Sequence, residues 1–492
     1  MSTRGRELLV ASNRGPVSLT TCDDGTVRAV RGGGGLVSGM RSALSDAGGL
    51  WVCCALGEQE RTVATRAPGG HLAAAGVDTG GLEVRMLPVE AGVFHDAYHG
   101  IANQTLWFVH HLLYDLPTQP AFDTSWRREW DNYQRYNGAF AEALATEAGP
   151  GATVVVQDYH LFLVPRMLRE LRPDLVIGHF THTPWAPPDY YAMLPDDVAE
   201  QVLTGLLGAD HLGFHCPRWA RAFTACCERT LGATPDGSGT SISHAGRTTR
   251  IGVHPLGTDG PGLLARAGAA DVTERLVQLR ERLGDRQVVG RVDRTELSKN
   301  VLRGLLAFRE LLRTRPQWRD RVTHVAYTYP SRQDITRYRE YTHAVGQLAD
   351  QINAEFGTEK WTPVMLELTD DYPGSLAALV ATDVLLVNPI RDGMNLVAQE
   401  GAILAEHGCA LVLSREAGAF DLLGPYALVV NPYDIRQTAD ALHAGLSMPG
   451  DERAERTQQM VAAATALPPA AWFAEQLSAL RGAPTPAAEI RA

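Results

Sequence analysis

The sequence predicts an α/β protein of two doubly wound domains followed by a closing helix, and three observations predict it. Short apolar runs rich in Val, Ile and Leu recur along the chain, each leading into a loop and then a segment of helical period. The runs are almost continuously hydrophobic, as parallel strands buried on both faces must be. The alternation lapses once, near residue 255, and then restarts.

The elements follow in order. ELLVAS (7–12) reads as a buried strand, and LVSGMRSALSDAG as the helix after it. ATVVVQDY (152–159) is a second strand, followed by the helix-like HLFLVPRMLRELR. DLVIGHF (174–180) and HLGFH (211–215) are further strands, and HLGFH runs into the helical PRWARAFTACCERTL. Residues 232–260 are rich in Gly, Ser and Thr, which predicts a hairpin or loop, with HPLGTDGPG as a linker. Beyond it QVVGRV (287–292), THVAYT (323–328), VMLELT (364–369), VLLVN (384–388), ALVLS (410–414) and ALVVN (427–431) read as strands of a second sheet. The predicted division is a domain over 1–255, a domain over 256–465, and a helix with a frayed tail over 466–492. In doubly wound sheets ligands bind outside the carboxyl ends of the strands, so a cleft between two such domains is expected, lined by residues just after strands.

Composition narrows the function. The chain has 492 residues, of which 45% are apolar and 21% charged, with a net charge of −11. No run of five Lys or Arg occurs. A nucleic-acid groove is therefore not expected, because phosphate backbones demand dense positive charge. A small anionic substrate needs only a few local Arg and Lys. The seven cysteines lack CxxC spacing, so reduced, buried thiols are expected and no metal site or cofactor. The apolar stretch at the N-terminus is too short for a secretory core, and LAALVATDVLLV (376–387) is too short to span a bilayer and carries Asp383. These features predict a cytoplasmic protein without a membrane partner; a homo-oligomer is compatible with them.

Several segments after strands could carry chemistry. RGGGGLVSGM (31–40) sets four glycines before a helix, where bare amides suit a phosphate, although a flexible turn explains it equally. VDRTELSKN (292–300) holds Arg294 and Lys299, a planar fork and a point charge that could neutralise a diphosphate; a solvated basic turn is the alternative. PIRDGMNLVAQE (389–400) contains Asp392 at a strand end, Gly393 for a tight turn, Asn395 as a helix cap, and Glu400 further along the helix. Capping accounts for Asn395 but not for the preceding RDG. Asp158, in VVQDYH, and His182, in HFTHTPW, fall at or after neighbouring strand ends.

The ordered set SNRGP, GGGLVSG, YHGIANQTLW, VVQDYHL, HFTHTPW, VDRTELSK, PSRQD and RDGMNLVAQE resembles the trehalose-6-phosphate synthase family, of an actinobacterial type, from Ser12 to about Met448. That family consists of retaining glycosyltransferases of the GT-B architecture, two Rossmann-like domains facing a cleft. The resemblance implies transfer of glucose from a nucleotide diphosphate glucose to glucose-6-phosphate, without a metal. It implies that the N-terminal domain binds the acceptor and the C-terminal domain the nucleotide sugar. Arg294 and Lys299 would hold the donor diphosphate, helped by the amides of Gly34 and Gly35. Asp392 with the amides of Gly393, Met394 and Asn395 would hold the donor glucose, and Glu400 the ribose. His182 would contact the donor sugar near the reacting carbon, and Asp158 would sit beside donor and acceptor. Arg14 and Arg332 would grip the acceptor phosphate, with Tyr98, Trp107 and Tyr159 shaping its pocket.

The sequence departs from the family pattern at WVCCALGE, where a second Trp is replaced, at Glu296 and Leu297 between Arg294 and Lys299, and at Gln399. In LELTDDYPGSL (366–376), Asp370 and Asp371 fall where the donor base is expected. A carboxylate can accept both adjacent donors of guanine but would be repelled by the carbonyls of uracil, so GDP-glucose is expected over UDP-glucose. A helix cap is the plain alternative for these aspartates. Two rival functions share the fold: a pseudo-glycosyltransferase of the validoxylamine-phosphate synthase type, and a silent sugar-phosphate sensor.

Overall fold

The computed structural model describes residues 5–21, 27–31, 40–41, 44 and 47–482. The chain forms two compact units, Met1–Pro255 with Pro469–Ala492, and Leu256–Pro468. Each is an α/β unit with a mainly parallel sheet, the class the strand–helix alternation predicts.

The strands of the first unit are β1 (Arg6–Ala11), β2 (Val17–Thr21), β3 (Val27–Arg31), β4 (Leu50–Cys54), β5 (Glu83–Leu87), β6 (Ala148–Gln157), β7 (Val176–Thr181), β8 (His211–Phe214), β9 (Thr234–Pro235), β10 (Ser241–His244) and β11 (Arg247–Val253). β2 and β3 form a separate hairpin. The main sheet runs β5-β4-β1-β6-β7-β8-β11-β10-β9, parallel from β5 to β11 and antiparallel beyond. β1 lies inside it, with Val10 opposite Trp51 on one side and Val155 on the other. The winding reverses there: β4 and β5 extend one way from β1, β6 to β8 the other. The exits of β1 and β6 therefore mark the crevice of this unit.

β4 and β5 were not expected from the sequence, each for a physical reason. β4 (LWVCC) is fully buried but built from Trp and Cys rather than branched aliphatics. β5 is an edge strand that alternates buried and partly exposed residues, with Glu83 and Arg85 on its open face. The segment expected as hairpin or loop forms the hairpin of β10 and β11, Ser241 opposite Arg250, and β11 also pairs in parallel with β8, Ile251 opposite Leu212. Its polar composition reflects partial burial. The expected linker after it opens a helix, Gly260–Ala267, capped by Asp259, whose Oδ1 accepts the Gly262 N–H at 3.1 Å.

The last helix, Pro469–Leu480, belongs to the first unit. Its Trp472 ring meets Phe180 edge-on at 4.8 Å and donates its Nε1–H to the His254 carbonyl at 2.9 Å. Glu475 Oε1 lies 2.8 Å from His254 Nδ1.

The second unit has β12 (Gln287–Thr295), β13 (Val322–Pro330), β14 (Val364–Glu367), β15 (Val384–Val387), β16 (Ala410–Ser414) and β17 (Leu428–Val430). All are parallel, in the order β14-β13-β12-β15-β16-β17, so the winding reverses between β12 and β15. Successive residues of β12 enter opposite cores: Val288 packs in one and Val289 in the other. Both faces are thus covered, and the strand is buried over Val288–Asp293, the charged Arg291 and Asp293 included. Among the described residues, no helix is long and apolar enough to cross a membrane.

Candidate active site

In the second unit the exits of β12 and β15 bring the basic and acidic candidates together. Lys299 follows β12, and its Nζ lies 2.6 Å from Asp392 Oδ2 and 3.6 Å from Asp293 Oδ1. Burial pulls the Lys299 ammonium pKa down, but Asp392 and Asp293 outweigh it, and the net direction is up. Asp293 is pushed up by burial against the pull of Arg291 and Lys299. Arg291 is fully buried; it donates to Asn388 Oδ1 at 2.6 Å and to the Lys299 carbonyl, and pairs with Asp293 at 3.0 Å. The two strand exits are thereby tied through side chains that sit under the surface.

Asp392 is held in turn. Asn395 donates its Nδ2–H to Asp392 Oδ2 at 3.0 Å, and its Oδ1 accepts the Ala398 N–H at 3.2 Å, capping the helix Leu396–Leu404 from a left-handed backbone (φ 83°). The positive end of that helix dipole lies beside the Lys299–Asp392 pair. The RDGM turn is stapled to residues 416–419: Asp392 N–H to the Glu416 carbonyl (3.3 Å), Gly418 N–H to the Asp392 carbonyl (3.0 Å) and Ala419 N–H to the Met394 carbonyl (2.7 Å). A Cβ on Gly418 would fall 1.9 Å from the Gly393 carbonyl oxygen, so only glycine permits this approach.

Arg294 and Arg332 converge on one carboxylate. Glu296 Oε1 lies 2.9 Å from Arg294 Nη1 and 3.9 Å from Arg332 Nη1, and it accepts the Ser331 hydroxyl at 3.0 Å. Burial alone would raise the Glu296 pKa; Arg294, Arg332 and Lys299 overcome it and bring the pKa down to about 2. Arg332 also donates to the Tyr338 hydroxyl at 2.8 Å. Glu400 is pushed up by burial.

The base-side aspartates divide. Asp371 caps the helix Tyr372–Val380, its Oδ1 accepting the Gly374 N–H at 3.0 Å, and its Oδ2 lies 3.0 Å from Arg275 Nε. The capping alternative therefore describes Asp371, while Asp370 is exposed.

In the first unit the sites follow β1, β6 and β7. Arg14 is exposed on a turn that the core braces: Trp51 Nε1–H donates to Ser12 Oγ (2.7 Å), Ser12 Oγ–H to the Arg14 carbonyl (2.6 Å), and the Tyr136 hydroxyl to Asn13 Oδ1 (2.6 Å). Asp158 leaves β6 with φ 72° and ψ 173°, a conformation that is essentially glycine's own. Its Oδ1 accepts the His182 N–H at 3.1 Å. The imidazole of His182 is turned to neighbours, with Nε2 2.8 Å from Gln157 Oε1 and Nδ1 3.2 Å from His215 Nε2. Burial first, then His215, holds its pKa well below the usual value, so the ring is neutral.

Tyr98, Trp107 and Tyr159 belong to one aromatic cluster. Tyr98 stacks on His160 at 5.6 Å, Tyr159 lies 5.7 Å from Trp107, and the Tyr159 hydroxyl donates to Asn103 Oδ1 at 2.8 Å. The motif carrying Tyr98 is a π-helix, Asp96–Leu106, a rare conformation that gathers at functional sites.

Contacts thus link Arg294 and Arg332 through Glu296, and Lys299 with Asp392 and Asn395, in the second unit; in the first they link Asp158 with His182, and Tyr98, Tyr159 and Trp107 through His160, while Arg14 follows β1. Gly34 and Gly35 lie outside the described residues. Sequence reasoning missed Asp293, Gln157, His215 and the 416–419 staple. Only Gly418, in REAGAF after a strand, offered a local signal.

A family model described as glycosyltransferase family 20 matches residues 6–482. A probable alpha,alpha-trehalose-phosphate synthase [UDP-forming] of Arabidopsis thaliana is 33% identical over 455 residues; they cover 91% of this chain and 54% of the plant protein. A trehalose-6-phosphate synthase of Mycolicibacterium smegmatis is 34% identical over 468 residues, covering 92% of this chain and 88% of that protein. An Escherichia coli structure, described as trehalose-6-phosphate bound with UDP-2-fluoro glucose, superimposes with a TM-score of 0.84 at 29% identity, covering 96% of this chain and 98% of that one.

Proposed function

The chain belongs to glycosyltransferase family 20 and is a glycosyltransferase; from that premise we propose that it makes trehalose-6-phosphate by moving glucose from a nucleotide diphosphate glucose to glucose-6-phosphate, with retention. The observation that carries the reading is the group formed by Arg294, Lys299 and Asp392 at the switch point of the second sheet, where such folds bind nucleotides.

The chemistry follows from those charges. A glycosyl transition state is oxocarbenium-like, and its barrier falls when charge developing on the leaving diphosphate is stabilised. Lys299, now paired with Asp392, would turn to the diphosphate, freeing Asp392 to accept sugar hydroxyls. Arg294 would add a second cation, and Glu400 would take the ribose. Arg14 and Arg332 would pair with the acceptor phosphate, with Tyr98, Trp107 and Tyr159 around the sugar. In front-face attack the C1–O bond to the leaving phosphate breaks as the bond to the acceptor oxygen forms. The departing phosphate oxygen takes the acceptor's proton, and Asp158 orients the acceptor hydroxyl.

GDP-glucose is the preferred donor in this reading, with Asp370 accepting the two adjacent donors of guanine. A second reading, UDP-glucose, is favoured by the engagement of Asp371 with its helix and Arg275, which leaves one carboxylate rather than two for guanine. Turnover of glucose-6-phosphate with each donor, following nucleotide release and trehalose-6-phosphate, tests both. Faster GDP release that Asp370→Asn abolishes supports the guanine reading; faster UDP release supports the second. No product from either donor would count against the transfer and favour cyclitol coupling or sugar-phosphate sensing.

A further inference from the structure

Arg291 is a fully buried cation in the middle of β12, where an aliphatic side chain would cost far less. A guanidinium only donates, so each of its partners is an acceptor. Its Nη2 donates to the Lys299 carbonyl and lies 3.0 Å from Asp293 Oδ2, and its Nη1 donates to Asn388 Oδ1 at 2.6 Å. One side chain thus holds the turn after β12, β12 itself and the exit of β15. The carbonyl it grips precedes Asn300, whose backbone is left-handed (φ 61°), so the turn that carries Lys299 needs such a hold. The fold makes room for the guanidinium at Gly304, inside the helix Val301–Thr314, where a Cβ would fall 2.6 Å from Arg291 Nη1. Glycine weakens a helix interior, so the opening has a cost that the packing of Arg291 explains. The Lys299 ammonium lies between Asp392 at 2.6 Å and Asp293 at 3.6 Å. When it turns to a diphosphate, the buried Asp293 keeps Arg291 as its counter-charge.

We infer that Arg291 is a positioning residue for the transfer: its guanidinium fixes the Lys299 backbone through the carbonyl and neutralises Asp293, so that the Lys299 ammonium can meet the donor diphosphate. This rests on the role given to Lys299 in the proposed reaction. Arg291 itself stays beneath the surface and touches neither substrate. Without its fork the Lys299 turn loosens, and the ammonium must leave a buried carboxylate without a partner before it reaches the leaving group.

The test uses three variants. Arg291→Met combined with Asp293→Asn removes both charges, so no buried ion is stranded. Arg291→Lys keeps the charge without the planar fork. Gly304→Ala leaves Arg291 in the chain, crowds its Nη1 and favours the helix, and it serves if the other two do not fold. Turnover and KM for glucose-6-phosphate are measured beside the Kd of GDP and of UDP by calorimetry. The expected result in each folded variant is a fall in kcat of about tenfold or more, because the cation is misplaced. The Kd of whichever nucleotide the unmodified protein binds more tightly should rise about fivefold or more, and the KM for glucose-6-phosphate should stay within about twofold. Unchanged kcat and Kd in the folded variants overturn the proposal. A raised Kd with unaltered kcat overturns the positioning role, and a KM for glucose-6-phosphate raised as much as the Kd marks general damage and overturns it too. Absence of turnover in the unmodified protein would instead defeat the transfer reading, and the nucleotide Kd alone would still judge the hold on Lys299.

Discussion

Lys299 Nζ sits 2.6 Å from Asp392 Oδ2, closing a contact between the exits of two adjacent strands 93 residues apart in sequence. The same lysine faces Asp293, so its charge is shared between two carboxylates before any ligand arrives. Lys299→Ala should lower kcat by about 10²-fold or more, because a positioned cation stabilises the leaving diphosphate. Arg294→Ala should behave alike. A stability cycle with Asp392→Asn should give a coupling of about 0.5–3 kcal/mol by chemical denaturation. Near-normal kcat in either single variant would remove that residue from its role.

Glu296 ties acid stability to the same site. Its folded pKa of about 2 is below the usual 4.5, so its contribution is full above about pH 4.5. The contribution is lost as pH falls from about 4.5 to about 2, because the unfolded chain takes the proton first. The shift corresponds to about 3 kcal/mol. Glu296→Gln should flatten this part of the acid unfolding profile. Asp293, shifted the other way, is present in both proteins and cancels in the comparison. Parallel acid limbs would refute the assignment.

Asp158 offers a test of strain against function. Asp158→Ala loses the bond to the His182 N–H and keeps the unfavourable backbone; Asp158→Gly loses the bond and relieves the backbone. The glycine variant should be the more stable by about 1–3 kcal/mol, measured by denaturant midpoints. Both should lose turnover. Equal stabilities would show that the backbone relaxes on substitution.

Asp371→Ala should cost about 1 kcal/mol of stability through the lost helix cap, with the ratio of GDP-glucose to UDP-glucose turnover unchanged. A shifted ratio would return Asp371 to the base pocket.

The α/β class and most parallel strands were legible because strands buried on both faces leave unbroken apolar runs. β5 escaped because partial burial lets polar residues into it, and β4 because Trp and Cys fill its buried positions. Within the site, residues at or beyond strand ends stood out, as Asp158, Arg294 and Asp392 did. Their supports did not. His215 follows a different strand from His182, and Glu416–Ala419 reach Asp392 from the loop after β16. Asp371 is ambiguous from sequence for the opposite reason, since an aspartate before a helix meets a local capping need whether or not it meets a ligand.

The helix Pro469–Leu480 returns to the first unit after the whole second unit has been traversed. During synthesis the second unit, being continuous, emerges complete, whereas the first waits for its final segment. Until Trp472 leaves the ribosome, Phe180 and His254 lack the indole that covers them in the finished protein. A nascent chain stopped before this helix would therefore carry a finished second unit and a first unit that still lacks part of the surroundings of His182.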